Sequence, residues 1–255
     1  TGGAVCIMMM LSGHNVWISM LAATLAGMLA GLATGIFHTF MGIPAILAGI
    51  LTQLSLYSVN LKIMGKANQA INVDKYNLLV SLRHIKNASL SKNTIFIVAV
   101  MCILLIAILY WFFGTEIGCA LRATGNNEFM VRALGGNTDT SKVLGLVISN
   151  GLISVSGALV AQNQGYGDIK MGTGSIVIGL ASIVIGEVIF GKRFNFAYIL
   201  ASLIGGAMVY RMIISLVLHF GLSTDDMKLF TAIIVALALG IPALKSKYSH
   251  RRTPA

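Results

Sequence analysis

Amide, hydroxyl and phenol side chains recur inside apolar stretches of this chain, where they could form hydrogen bonds with a polar solute. Gln53, Tyr57 and Asn60 are spaced four and three residues apart, so a helix would place them on one face. Asn150 and Ser154 form a second such pair. Because lipid offers these groups no hydrogen-bond partner, they should face a helix bundle or a cavity. Two interpretations are open: the groups line a path across a membrane, or they join helices through hydrogen bonds of roughly 0.6 kcal/mol each.

A phosphate-binding loop is the one catalytic motif whose spacing occurs here, in GEVIFGKR at 186–193. Arg193 stands where that motif needs a Ser or Thr hydroxyl for Mg²⁺, and a second carboxylate cluster is missing. The three cysteines (Cys6, Cys102 and Cys119) have neither metal-ligand nor disulfide spacing. We therefore expect no ATPase site, catalytic residue, metal site or cofactor, and any energy from ATP must come from another polypeptide.

The stretch 121–137, LRATGNNEFMVRALGGN, is a polar segment between two long apolar runs. Gly125 should interrupt the backbone, and Asn126 or Asn127 can cap the free N–H groups of a new helix. Glu128 would lie in the first turn of that helix, where a negative charge suits the helix dipole. The pattern predicts that a short helix begins at this point.

The same helix should carry an apolar stripe. Phe129 and Met130 are each followed four residues later by a further apolar side chain, Ala133 and Leu134. The glycines at 135–136 should then end the helix, because glycine is favoured just past a helix C-terminus. The result is a short amphipathic helix parallel to the membrane. It could dock a partner protein or lie on lipid, and the residue pattern leaves both interpretations open.

The composition determines the fold class. Hydrophobic residues make up 56% of the 255 and charged residues only 10%, whereas soluble domains carry roughly 25% charged residues. Lipid must therefore supply the solvent for an all-α, polytopic bundle that forms a single transmembrane domain, 1–255. The chain begins without Met inside an apolar run, so we expect its start, with a further span, to be missing. About eight spans are predicted: 2–12 (partial), 16–36, 43–60, 93–113, 142–162, 174–190, 196–218 and 228–244.

Small residues line one face of the second predicted span. Ala23, Gly27, Gly31 and Gly35 recur every four residues. Such a pattern lets two helix backbones approach closely in lipid. We expect this face to be a helix-packing surface.

The distribution of basic residues predicts the orientation. The net charge is +10, and topology and anionic lipid explain it without nucleic acid. The short loops opposite 114–141 offer only Lys170 as a basic residue, together with three aspartates. By the positive-inside rule, 114–141 lies in the cytoplasm. The basic residues on that side are Arg122, Arg132, Lys142, Lys192, Arg193, Lys245, Lys247, Arg251 and Arg252.

Two outer loops have more than one interpretation. The loop 61–92 should lie outside, yet it carries six basic residues, so it is either a basic platform for an extracytoplasmic partner or simply solvated. The connection 165–175 contains four glycines. It either lines a cavity with non-helical backbone or is an ordinary turn.

A family resemblance bears on these alternatives. The run from Gly118 to Gly136, followed by TSKVLGLVISNGLISVSGALVAQNQG at 140–165, resembles permeases of ATP-driven importers. The next segment, GYGDIKMGTGSIVIGLASIVIGE at 165–187, is similar to the Gly-rich connection of the same superfamily. The similar families serve branched-chain amino acids, ribose-type sugars and an aromatic-amino-acid-type uptake group, which is the most similar of the three.

The resemblance implies a transport subunit in the bacterial plasma (inner) membrane that takes up a small, amino-acid-like solute. Its implied partners are a cytoplasmic ATP-binding subunit, an extracytoplasmic substrate-binding protein and a second permease copy or a close homologue. The residues expected to couple the chain to the ATPase are Arg122, Asn126, Glu128, Phe129, Met130, Arg132, Leu134 and Gly135. The alternatives are a secondary transporter or channel with an interfacial helix at 126–136, and a membrane scaffold.

Overall fold

The computed structural model describes residues 1–72, 76, 78–80, 94–172, 175–190, 195–219 and 236. The chain divides into two compact units, Thr1–Gly172 and Thr173–Ala255; the single transmembrane domain stays a prediction. The described helices are α1 (Gly2–Leu11), α2 (Val16–Thr39), α3 (Ala45–Met64), α4 (Thr94–Gly114), α5 (Glu116–Asn126), α6 (Glu128–Ala133), α7 (Thr138–Gln164), α8 (Ser175–Phe190) and α9 (Phe196–His219). Two strands, β1 (Asn68–Ala70) and β2 (Tyr166–Asp168), and a 3-10 helix (Ile169–Gly172) complete the described elements.

Five of the described helices are long and apolar enough to cross a bilayer: α2, α3, α4, α7 and the part of α9 from Phe196 to Leu216. The fold is therefore a multi-pass α-helical membrane protein, as predicted. The predicted spans 2–12 and 174–190 correspond to α1 and α8, which have only 10 and 16 residues. Of the predicted span 228–244, only residue 236 is among the described residues. The count of about eight spans is thus not confirmed.

The small-residue stripe of α2 packs against α7, which confirms the predicted packing surface. A Cβ atom built at Gly31 would run into the carbonyl oxygen of Leu146, and one at Gly35 would lie 3.1 Å from Val143 Cγ1. Farther along, Ser154 Oγ donates a hydrogen bond of 2.5 Å to the carbonyl oxygen of Ala23. Residue numbers rise along one helix as they fall along the other, so α2 and α7 run antiparallel with their backbones in close contact.

The core of the first unit lies where α1 packs on α2 and α7. Its buried side chains include Cys6, Ile7 and Met10 of α1, and alanines of α2 and α7 contact them. Gln162 of α7 is fully buried here. Its Nε2 donates to Cys6 Sγ at 3.5 Å, and its Oε1 accepts from the backbone N–H of Leu79 at 3.3 Å. This amide therefore joins elements of the bundle.

A two-stranded antiparallel sheet links the two loops that were predicted to share the outer face. β1 and β2 pair with Asn68 opposite Asp168 and Ala70 opposite Tyr166. The connection from 165 is thus a strand followed by a 3-10 helix as far as Gly172, and residues 173–174 lie outside the described part. The helix α3 extends to Met64, so Lys62 belongs to its last turn and not to a loop.

In the second unit, α8 and α9 pack through glycines. A Cβ atom built at Gly186 would lie 2.5 Å from the carbonyl oxygen of Ser202, and one at Gly206 would run into that of Ser182. Gly186 is the first glycine of the apparent phosphate-binding motif. It lies inside a packed helix, where that motif would need a loop. The Gly-Lys part of the motif lies outside the described residues.

Candidate functional site

The short helix predicted in 121–137 is α6, but the backbone breaks at a different residue from the one expected. The helix α5 continues through Gly125 and ends at Asn126. The break comes at Asn127, whose backbone is extended (φ −154°, ψ 100°) and whose Oδ1 accepts from the N–H of Met130 at 3.1 Å. The prediction that Gly125 breaks the chain was wrong. A glycine permits a break, whereas an asparagine side chain also replaces the backbone hydrogen bonds that a break removes.

The glycine pair ends α6 as predicted. Gly135 adopts a left-handed backbone (φ +82°), which few residues other than glycine tolerate. Its N–H bonds to the carbonyl oxygen of Arg132 at 3.0 Å, and the N–H of Gly136 bonds to that of Val131 at 2.9 Å. This pair of bonds is a Schellman motif. Both ends of α6 are therefore defined by local hydrogen bonds.

Two large apolar side chains of α6, Phe129 and Met130, and that of Leu134, the residue directly after the helix, are exposed. Phe129 is 84% exposed, Leu134 80% and Met130 50%, whereas Val131 is buried. We call Phe129, Met130 and Leu134 the apolar trio. Contiguous exposed apolar side chains mark a surface that lipid or another protein covers.

An ionic cluster attaches α6 to the first turns of α7. Glu128 Oε1 lies 2.7 Å from Lys142 Nζ and 3.0 Å from an Arg132 Nη atom. The hydroxyl of Thr138, a buried residue, donates to the same carboxylate oxygen at 3.4 Å. The hydrogen bond from Lys142, followed by the charges of Lys142 and Arg132, lowers the pKa of Glu128. A carboxylate with these partners stays ionised at neutral pH.

Arg132 also reaches α7. Its Nε donates to Thr138 Oγ1 at 2.7 Å, and its Nη2 lies 3.0 Å from Asp139 Oδ1. The start of α7 is organised by Asn137, whose Oδ1 accepts from the N–H groups of Asp139 and Thr140. Sequence reasoning identified Glu128 and Arg132 but not Thr138, Asp139 or Lys142 as their partners. Asp139 could have been recognised from the sequence, because an acidic residue is favoured in the first turn of a helix. No sequence pattern indicated that Glu128 pairs with Lys142.

The other residues predicted to couple the chain to a partner lie around α6. Arg122 and Asn126 are exposed on α5, and Gly135 is exposed in the turn after α6. On the inward side of α5, Leu121 faces Gly145 of α7. The structure thus brings the eight predicted residues into one stretch of α5, α6 and the following turn. Their roles stay a prediction.

The polar residues of α3 form one exposed face and one buried end. Gln53 and Tyr57 are exposed, whereas Asn60 is buried. Within the described part of the chain, Asn60 Oδ1 has no hydrogen-bond partner. Immediately before Gln53, the buried hydroxyl of Thr52 accepts a hydrogen bond of 2.9 Å from the hydroxyl of Thr34 on α2. The exposed amide and phenol leave this face of α3 polar within a span.

The polar pair on α7 is used inside the protein. Ser154 is buried and donates to the α2 backbone, and Asn150 Nδ2 donates to the carbonyl oxygen of Leu146 in its own helix at 2.9 Å. In the described residues, neither forms a hydrogen bond with Gln53, Tyr57 or Asn60. These contacts favour a helix-joining role for Ser154, whereas the hydrogen bond of Asn150 stays within α7.

Comparison with known sequences adds an independent line of evidence. The family described as branched-chain amino acid transport system / permease component matches residues 1–242. A tyrosine transport system permease protein of Clostridioides difficile (strain R20291) is 37% identical over 235 residues, covering 92% of this chain and 76% of the relative. Uncharacterized protein RP368 of Rickettsia prowazekii (strain Madrid E) is 32% identical, covering 87% of this chain and 77% of the relative.

A more distant relative is named for a different solute. The autoinducer 2 import system permease protein LsrC of Yersinia pseudotuberculosis serotype O:1b (strain IP 31758) is 29% identical over 158 residues. That match covers 61% of this chain and 42% of the relative. No solved structure matches this chain.

Proposed function

Since the chain belongs to the branched-chain amino acid transport system permease family, we propose that it is the membrane-spanning subunit of an ABC importer in a bacterial plasma membrane. In this proposal a separate ATP-binding subunit supplies the energy for transport. The solute is small and amino-acid-like, a preference supported by the tyrosine transport relative.

The observation that supports this proposal most directly is the exposed apolar trio on α6. The helix is capped at both ends and is attached to α7 by an ion pair between Glu128 and Lys142. Phe129 and Leu134 nevertheless point outward. Lipid would not require such a defined orientation. A groove on a partner protein would, because a helix docked in a groove uses apolar anchors at helical spacing. We assign that groove to the ATP-binding subunit.

The exposed polar face of α3 supports a solute path at an interface between permease copies. Gln53 and Tyr57 would be costly to expose to hydrocarbon, because lipid cannot satisfy their hydrogen bonds. A second copy of this chain, or a close homologue, would cover the face and leave an aqueous path along it. Asn60, Asn150 and Ser154 stay candidates for that path. Solute access would alternate between the two sides as the spans move.

The outer end of the first unit offers a surface for the substrate-binding protein. Lys62, Lys66 and Lys170 are exposed around the β1–β2 sheet. An acidic surface on the binding protein would be attracted to these side chains. Delivery of the solute from this side gives the direction of import.

The test of the coupling role is the double variant Phe129→Asp, Leu134→Asp. Charges in a docked apolar site remove its main anchors, so we expect co-purification of the ATPase with the tagged chain to fall at least about tenfold. ATP-dependent uptake into proteoliposomes containing the binding protein should fall with it. Thr140→Asp is the matched control, because it adds a charge to an exposed position in the first turn of α7 outside the trio.

Wild-type association and uptake in the double variant would overturn the proposal. In that case α6 lies on lipid. Uptake driven by a proton or sodium gradient without ATP would then favour a secondary transporter or channel. Uptake that needs ATP and fails only in the double variant supports the importer.

A further inference from the structure

We propose that Glu128, Arg132 and Lys142 form an ionic clamp that holds α6 and the start of α7 together as one rigid body. The three are positioning residues: they transmit movement of α6 into the membrane and do not serve mainly as contacts to the ATPase. This inference rests on the proposed coupling role of α6 and names how that role reaches the spans.

The helix α6 cannot keep its position without outside support. It has six residues, and isolated helices of that length are not stable in water. Of its side chains only Val131 is buried. Packing therefore contributes little to the stability of α6. The ion pairs of its side chains and the hydrogen bonds of its caps must hold the helix in position.

The turn between α6 and α7 explains why a clamp is needed. It runs through Gly135 and Gly136, and glycines leave a backbone free to change its dihedral angles. Without cross-links this turn would act as a hinge and absorb the movement of α6. The bonds from Glu128 to Lys142 at 2.7 Å and from Arg132 to Asp139 at 3.0 Å join residues on the two sides of the turn. They bypass the hinge.

The clamp gains strength because its members share partners. A single exposed ion pair contributes little, since solvent screens it and ordering the side chains costs entropy. Here Glu128 accepts from Lys142, Arg132 and Thr138, and Arg132 contacts Thr138 and Asp139 as well. The side chains of Glu128 and Lys142 are less than one-third exposed. The shared partners hold each side chain in one place.

The part of α7 next to the clamp is in direct contact with α2. Val143 follows Lys142 and packs against Gly35 of α2. Farther along α7, Leu146 and Ser154 contact α2 at Gly31 and Ala23. A movement of α6 that the clamp passes to α7 would therefore move α2 as well, through two helix backbones in direct contact.

The test uses Lys142→Met and Glu128→Gln in the complete transporter with its ATPase and binding protein. The apolar trio is intact in both variants, so we expect the ATPase to co-purify as with wild type. The number of solute molecules transported per ATP hydrolysed should fall about fivefold. Lys142→Arg keeps the charge and should restore the ratio. Glu116→Gln is the matched control, because Glu116 is exposed on α5 and forms no ion pair within the described part of the chain.

Each outcome has a defined meaning. A wild-type ratio in both variants would overturn the clamp and leave the proposed function standing, because that function is tested separately by the apolar trio. Loss of ATPase association in step with the ratio would also overturn it, since the residues would then act as contacts. Should Lys142→Met fail to fold, Asp139→Asn removes only an exposed partner of Arg132. It should lower the ratio by a smaller factor, and no change would refute the clamp.

Discussion

At the scale of single residues, Asn127 and Glu128 do most to define the candidate site. Asn127 ends α5 with an extended backbone and caps α6 with its side chain. Glu128 follows immediately and connects α6 to Lys142. Two adjacent polar residues thus start a helix and set its direction. Apolar residues could not replace them, because neither a cap nor an ionic contact forms without polar atoms.

The ionisation of Glu128 leads to a prediction about stability and pH. Its pKa lies below the ordinary value of 4.5, mainly because Lys142 donates to its carboxylate. The folded protein therefore binds fewer protons than the unfolded chain between the two pKa values. The contribution of this residue to stability is fully present above the ordinary pKa and is lost as the pH falls through the lowered one.

We expect Glu128→Gln to lower the melting temperature of the detergent-solubilised protein by a constant amount above about pH 5. The difference from wild type should shrink as the medium becomes more acidic. Thermal unfolding across a pH series measures it, with Glu116→Gln as the reference for an exposed acid. A difference that grows towards acid pH would contradict the assigned cause.

At the scale of elements, α2 and α7 of the first unit pack with their backbones in close contact. Atoms of α7 leave no room for a side chain at Gly27 or Gly31 of α2, and a methyl group at Gly35 would lie 3.1 Å from the Val143 side chain. The clamp meets α7 next to this contact. The same stripe of small residues that packs the bundle therefore also lies on the proposed route of movement.

This packing predicts opposite effects of two alanine substitutions. In Gly31→Ala the new methyl group would meet the backbone at Leu146 and Val147, which must shift, at a cost of roughly 1–3 kcal/mol. Gly49→Ala lies in α3, where nothing is within 4 Å, so it should stabilise the helix by roughly 0.5–1 kcal/mol. Thermal unfolding of both purified variants compares the two. Equal effects would show that α2 and α7 are not in close contact.

At the scale of the whole molecule, the orientation in the membrane connects the two proposed partner surfaces. The ATPase surface on α6 and the loops around β1 and β2 must face opposite sides of the bilayer. The predicted alternation of spans places the two surfaces on opposite sides of the bilayer. It also places the segments of β1 and β2 on the same side, and the pairing of these two strands agrees with that. A chain with both surfaces on the same side could not serve as an importer.

Cysteine labelling tests this arrangement. Asn68→Cys in β1 should react with a membrane-impermeant maleimide in intact cells, whereas Thr140→Cys at the start of α7 should react only after permeabilisation. Both positions are exposed. The labelling needs a background in which the native cysteines are replaced, namely Cys6, Cys102 and Cys119. The reversed pattern would place α6 outside the cell and exclude a cytoplasmic ATPase at that surface.

Local features of this protein followed from the sequence alone. Apolar runs predicted the helices α2, α3, α4, α7 and α9, because the length and hydropathy of a span depend only on its own residues. The Gly135–Gly136 end of α6 and the small-residue face of α2 were likewise predicted from spacing. The family resemblance rested on residues 118–187, and the match over 1–242 agrees with it.

Only the tertiary structure decided which distant residues meet. Glu128 and Lys142 are 14 positions apart, and Gln162 and Cys6 are 156 apart, so no local period relates them. The pairing of β1 with β2 and the exposure of the apolar trio have the same origin. Hydropathy and capping depend on neighbours along the chain, whereas these contacts depend on how packed helices bring separate segments together, and that geometry exists only in the folded protein.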